Sequence, residues 1–364
     1  MKTKLLLSIA CLALIASCSQ EQANNILCSE DGKVVVIDRK IDYGTSQEDF
    51  TFVKTMRVVK PLPVGWADLD VVLGGAVCAI RFDENGKEAE SIPEHVTIIN
   101  RDTINIHTRY LVEKYRDVLQ TPEHPERPYG YLWLYGIYAG RNCTIINDGV
   151  INVWFDHDPS CMSTIYVSAI SARGGNDVVN SGEINFMGNG SAHTRFRGMS
   201  TLEDNVTFLN KGLMTGNVEL VEDARFMTGA GNNSTYLNRG VMMAKEPGGL
   251  MCMVQAGDNL IVNQGVIDMV SRPYPDSLDF FLGRDNINSA AMNSTIGPKA
   301  KAAYPLVNAG TIKVRMEGDS LSNPGWKSYG ILYTGVAGTG RRADPSKGNF
   351  GEVITENGAI PTKF

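Results

Sequence analysis

The sequence predicts an all-β solenoid, a chain wound into stacked parallel coils, and three observations carry that reading. A short phrase recurs six times between residues 145 and 312: two apolar residues, Asn, any residue, Gly, then an apolar residue two places on. Its asparagines are Asn147, Asn180, Asn210, Asn238, Asn263 and Asn308, spaced 25 to 45 residues apart, which is the period of a repeat architecture. After each Asn the apolar residues fall on alternate positions, as in Ile151 and Val153, Ile184 and Phe186, Ile267 and Met269, and Ile312 and Val314. Period two is strand and not helix. Each phrase therefore reads as strand, tight corner, strand, with Asn and Gly at the corner because both tolerate the left-handed backbone region.

Units of this kind bury their inner faces only by stacking, about 4.8 Å apart. Stacked asparagines would then pass amide hydrogen bonds from coil to coil. Leucine-rich repeats lack support because their leucine spacing is missing, and helical solenoids need a 3.6-residue period that this stretch does not show. Weaker copies extend the series. Ile98-Ile99-Asn100 has Asp102 in place of Gly, and Val353 to Ile360 keeps Asn357-Gly358 but loses the spacer. Small residues about seven positions before the Asn (Gly140, Gly174, Gly231, Gly257) mark the preceding corner. Residues 29–74 lack the phrase; Val34–Ile37 and Phe50–Val53 read there as strands of an N-terminal β cap. The solenoid is expected over 75–364, with insertions at about 107–130 and 271–304, the first holding a short helix from Tyr110 to Leu119.

The first residues read as a targeting segment. Lys2 and Lys4 precede an apolar run, Leu5 to Ile15, too short to span a bilayer. Ile15-Ala16-Ser17-Cys18 resembles the lipobox of bacterial lipoproteins. That resemblance implies a signal peptide over 1–17, lipidation of Cys18 followed by a polar tether to residue 28, and a place at the bacterial outer membrane on its surface or periplasmic face. The membrane is then a partner through the lipid anchor. Losing Lys2 and Lys4 takes the net charge from −6 to −8. Mild acidity argues against a nucleic-acid partner, which needs a basic stripe. Five cysteines follow Cys18 (Cys28, Cys78, Cys143, Cys161, Cys252) with no zinc or redox spacing. They read mostly as small buried apolar residues, with Cys143–Cys161 as a candidate disulfide.

The repeat itself resembles the right-handed parallel β-helix superfamily, which includes pectin-degrading enzymes and many bacterial adhesins. The resemblance implies right-handedness. It does not choose an activity, because that superfamily contains lyases, hydrolases, esterases and non-catalytic binders. Val153-Trp154-Phe155-Asp156-His157-Asp158 is similar to the strand-end motif of pectate lyases, whose Asp holds calcium. Carried over, Asp156 would be a calcium ligand, with Asp158 beside it. The partner arginine signature of that family is missing. The alternative is that Trp154 packs at a strand end and Asp156 to Pro159 is a solvated turn. Polygalacturonase-like hydrolysis lacks its Gly-His-Gly among His95, His107, His124, His157 and His193. Asp177, Asp204, Asp258 and Asp268 read as solvated faces of different coils.

Tyr129-Gly130-Tyr131-Leu132-Trp133-Leu134-Tyr135 is the densest aromatic run. Alternation puts Tyr129, Tyr131, Trp133 and Tyr135 on one side, either as an outward glycan-contact platform or as core. Thr103, Ser277 and Ser320 lie in short stretches similar to the Bacteroidetes O-glycosylation sequon. The expectation is a monomeric, lipid-anchored envelope protein that binds polysaccharide or glycoprotein without catalysis, adhesin-like, with no cofactor assigned beyond candidate calcium. The alternatives are a polysaccharide lyase or glycoside hydrolase using Asp156, and a structural subunit of an envelope complex.

Overall fold

The computed structural model describes residues 26–28, 33–45, 52–62, 65–78, 95–114, 130–158, 163–191, 193–229, 231–247, 249–256, 259–272, 288–296, 306–317, 327–335 and 348–363. They form three long sheets, of nine, nine and ten strands, each built by parallel pairing of strands from successive coils. The architecture is the right-handed parallel β-helix, the hand expected when parallel strands are joined by crossovers. One coil contributes Thr144–Asn147 to sheet A, Val150–Asp156 to sheet B and Thr164–Ala172 to sheet C. The next repeats the order with Asp177–Asn180, Glu183–Asn189 and Thr194–Thr201. Antiparallel pairing occurs only at the N-terminal end of the described residues, where Ile26–Cys28 joins Val34–Ile37 and Phe52–Leu62 joins Gly65–Cys78.

The Asn-x-Gly phrase is the corner between sheets A and B, and its asparagines point inward. Asn100, Asn147, Asn180, Asn210, Asn238, Asn263 and Asn308 are all fully buried. Each Nδ2 donates to the Oδ1 of the next coil's Asn at 2.7–2.9 Å. The Asn backbone carbonyl does as much. Asn147 O accepts the amides of both Ser181 and Gly182, at 2.8 and 2.9 Å, and Asn180 O those of Lys211 and Gly212, at 2.7 and 3.0 Å.

The corner glycines are there for space and not for handedness, which corrects the expectation of left-handed backbone at Asn and Gly. A Cβ on Gly182 would stand 1.9 Å from Gly149 O, and one on Gly212 would stand 2.0 Å from Gly182 O. Neither the corner asparagines nor these glycines have positive φ. The left-handed residues stack instead at the corner between sheets C and A: His95, Asn142, Gly175, Asn205 and Asn233, with φ of 55° to 72°. Gly140, Gly174 and Gly231 lie at this corner as expected.

The two apolar residues of the phrase part company. Ile145, Val178, Phe208, Tyr236 and Ile261 are buried in the core. Their successors Val36, Ile99, Ile146, Val179, Leu209, Leu237, Val262 and Val307 are paired in register on the outside of sheet A, each half-buried. The core between the sheets includes a column of rings, with Phe186 and Phe196 stacked at 4.1 Å and Phe155 and Phe226 on either side of Phe196 at 6.2 and 6.3 Å.

Several expected boundaries move. Residues 29–74 do not stand apart from the solenoid: Val34–Ile37 and Ile41–Tyr43 pair in parallel with Thr97–Asn100 and Thr103–His107, and the strand Gly65–Cys78 crosses the expected border. The 271–304 segment encloses a strand of sheet C, Asn288–Ile296. The helix near 110 is Arg109–Lys114. The last corner is Asn349-Phe350-Gly351, where Asn349 accepts from Asn308, while Asn357 and Gly358 form a separate turn with φ of 54° and 87°. Cys143 and Cys252 are buried thiols, and Cys161 falls outside the described residues.

The phrase makes opposite demands on neighbouring residues. Phe208→Ala should cost about 3–5 kcal/mol by emptying core volume, whereas Leu209→Thr should stay within about 0.5 kcal/mol. Urea unfolding of the two variants measures this, and similar losses would contradict the inward and outward assignment.

Candidate functional site

Among the described residues, a set of contacting aromatic and charged side chains lies on the outer side of sheet C. Alternation along Gly130–Ala139 buries Leu132 and Leu134 completely and turns Tyr131, Trp133 and Tyr135 outward, each half-buried. Parallel register then places Tyr166 beside Trp133, Arg195 beside Tyr166 and Asp223 beside Arg195. The adjoining row runs Tyr135, Ser168, Arg197, Arg225, with Ser168 and Arg197 buried. The rings touch: Tyr131 meets Trp133 edge-on at 6.1 Å, and Trp133 meets Tyr166 at 6.4 Å and 61°. Arg197 lies over the Tyr166 ring at 5.4 Å, within reach of a cation–π contact. Aromatics from two coils thus lead into arginines from the next two on one continuous face. Tyr129, the fourth aromatic of the expected platform, lies outside the described residues.

The charged half is tightly paired. Arg195 makes a two-pronged pair with Glu222, at 2.8 and 2.7 Å. Arg197 and Arg225 both reach Asp223, at 2.7 and 2.9 Å. Burial pushes the Asp223 carboxyl up, but Arg197 and Arg225 outweigh it and hold the group below the usual carboxylate range. A second charged group sits at the corner between sheets C and A, lining an open groove of about 510 Å³ with Arg141, Asn142, Leu202, Glu203, Asp204 and Asn205. Burial raises Glu203, but hydrogen bonds from Arg141, the Gly174 amide and Arg173 hold its pKa to about 2. Its carboxylate is consumed by these partners and reads as a brace for the corner.

The Trp154–Asp158 segment does structural work. Trp154 is exposed and stacks parallel to His107 at 6.2 Å. Asp156 is exposed, and its Oδ1 accepts the Arg109 amide at 3.1 Å, at the first turn of the helix Arg109–Lys114. Asp158 is exposed too. No group of three His, Cys, Asp or Glu side chains converges anywhere among the described residues, so Asp156 and Asp158 are not joined by further ligands there. Asp177 is exposed on sheet A, Asp204 lines the corner groove, and Asp268 pairs with Arg315 at 3.2 Å. The four aspartates noted in sequence therefore do not form one carboxylate set; Asp258 is outside the described residues.

His157 is the buried member of that segment. Its Nδ1 and Nε2 lie 3.1 Å from Thr108 Oγ1 and 3.1 Å from Thr194 Oγ1, so one ring ties together three successive coils. Burial lowers its pKa to about 4, against a small opposing pull from Asp158. Thr103 is half-buried on the outside of sheet B. Ser277, Ser320 and Cys18 lie outside the described residues.

The sequence reading missed Tyr166, Arg195, Arg197, Glu222, Asp223 and Arg225. The signal was the alternation itself: Arg195-Phe196-Arg197 and Asp223-Ala224-Arg225 each flank a fully buried residue with two outward charges. The fold defines this protein as a parallel β-helix, and its described residues include an aromatic-and-arginine face on sheet C. Compared with known proteins, the chain matches no family model, and no curated protein or solved structure is detectably similar to it.

His157 gives a pH-dependent prediction. Its folded pKa of about 4 is below the ordinary 6.5, so the unfolded chain binds the extra proton between those values. The contribution is complete above pH 6.5 and is lost as pH falls toward 4. It should amount to about 2 kcal/mol between pH 7.5 and pH 5. Urea midpoints at the two pH values should converge more for His157→Gln than for the wild type, and identical pH slopes would remove His157 as the cause.

Proposed function

We propose that the protein is a lipid-anchored protein of the bacterial envelope whose β-helix presents a non-catalytic glycan-binding face on sheet C. The observation that carries this reading is the outward row of Tyr131, Trp133 and Tyr166, three rings in edge contact over two coils. Sugar rings have apolar C–H faces, and aromatic side chains held rigidly on a sheet offer matching surface with little rotamer entropy to lose. A solenoid extends that surface along one axis, which suits a polymer and not a compact small molecule. Cys18 and the tether that follows it would hold the coils close to the membrane.

The non-catalytic reading is supported by what surrounds the rings. The carboxylates beside them, Glu222 and Asp223, are engaged by Arg195, Arg197 and Arg225, and the pairing of Asp223 favours its ionised form over a role as proton donor. Asp156, the residue on which the alternative of a metal-assisted cleavage depends, is on a different sheet and accepts a backbone amide.

A glycan array probed with the detergent-solubilised full-length protein tests the reading. Retention of a polysaccharide without degradation products is the expected result. Trp133→Ala and Tyr166→Ala should each weaken it about tenfold, the ~1.4 kcal/mol of one lost ring contact. Trp154→Ala, on sheet B, should leave it unchanged. Cleaved products would favour the enzyme instead, and no retention of any glycan would favour a structural role.

A further inference from the structure

On the sheet C face two guanidinium groups share one carboxylate. Arg197 Nη2 donates to Asp223 Oδ2 at 2.7 Å, while Arg225 Nε donates to Oδ1 at 2.9 Å and its Nη2 lies 2.9 Å from Oδ2. The neighbouring Arg195 is matched separately by Glu222. These five groups hold three cations and two anions, a surplus of one positive charge in a chain of net charge −6.

The surplus sits where it is poorly solvated. The side chains of Arg197, Arg225 and Asp223 are 8%, 29% and 18% exposed. Burial works against the second guanidinium: it lowers the Arg225 pKa despite the attraction of Asp223. An unmatched charge in partly desolvated surroundings costs stability unless a further partner offsets it. Donors are in surplus as well. Two guanidiniums offer ten N–H bonds, and their acceptors among the described residues are the Asp223 carboxylate and carbonyl, the Phe196 carbonyl and the Thr228 hydroxyl. An anionic oxygen group would supply both the missing charge and the missing acceptors.

The position of the surplus ties it to the rings. Arg197 lies against Tyr166, and Tyr166 against Trp133. A ligand ring over Tyr166 and Trp133 would have the guanidiniums one to two strand spacings away along the solenoid axis, roughly 5–10 Å.

We propose that Arg197 and Arg225, together with Tyr166 and Trp133, form a subsite for an anionic sugar, one that carries a carboxylate or a sulfate ester. The proposal rests on the glycan-binding reading above and narrows it to charged polymers.

Binding of the detergent-solubilised full-length protein is measured by calorimetry against three probes: a neutral glucan, a polyuronate and a sulfated polysaccharide. An anionic polymer should bind at least tenfold tighter than the neutral one and should weaken as salt rises; whichever of the two wins identifies the charged group. Arg225→Gln should lose that advantage. Asp223→Asn, which raises the surplus by one charge, should tighten anionic binding, a gain that misfolding does not mimic. Equal affinity for neutral and anionic polymers, or wild-type binding by Arg225→Gln, would overturn the anionic subsite and leave the glycan face standing. Failure to bind all three probes would overturn both.

Discussion

Every coil is set by one close approach. At the corner between sheets A and B the carbonyl of an inward-facing Asn accepts two amides from the coil above, as Asn147 does from Ser181 and Gly182. The glycine of each corner stands so near the previous one that a methyl group has no room; Gly240 and Gly265 repeat the contact of Gly182 and Gly212. Buried amide side chains are costly unless paired, and here the pairing is supplied by the neighbouring coil and not by the coil's own residues. A single coil cannot satisfy its Asn, so the corner is stable only as a stack. The chain of amides stops where the residue type changes. Ile37 occupies the matching position below Asn100, and Asn100 Oδ1 is left without a partner.

The spacing that this corner enforces makes the outer faces regular. Side chains on one face repeat at the strand spacing, so short alternating stretches far apart in sequence become columns. Sheet A uses its column for aliphatic residues from Val36 to Val307, and sheet B carries an external amide chain from Asn105 through Asn152 to Asn185, at 2.9 and 3.0 Å. Sheet C has the column of rings and guanidiniums. Among the described residues, sheet C brings rings and guanidiniums of successive coils into direct contact, and that contact marks it as the candidate recognition surface.

How much of this was legible in sequence follows from the same physics. The phrase and its period-two flanks are local, and they led to the parallel stack and to the fully buried Ile151, Val153, Ile184 and Phe186. The outward turn of Ile146 or Leu209 was not legible, because an apolar residue next to a core residue looks like core until the parity is fixed. The reason for the corner glycines was misread as backbone handedness, since the close contact comes from residues about 30 positions away. Asn349 escaped notice because Lys347 and Gly348 replace the two apolar residues of the phrase. The Arg197–Asp223–Arg225 cluster depends on register between coils, which insertions of unequal length conceal. Asp156 carried two readings in sequence, calcium ligand or solvated turn, and the structure has it exposed and accepting a helix amide.

Hydrogen–deuterium exchange on the full-length protein tests the central claim, that the corners are held by the coils above and below them. The amides of Asp148–Gly149, Ser181–Gly182 and Lys211–Gly212 donate to the preceding coil's Asn carbonyl, so they should exchange as slowly as the strands they join, and far more slowly than the turn at Asn357-Gly358. Exchange at those corners as fast as at the Asn357-Gly358 turn would contradict the account.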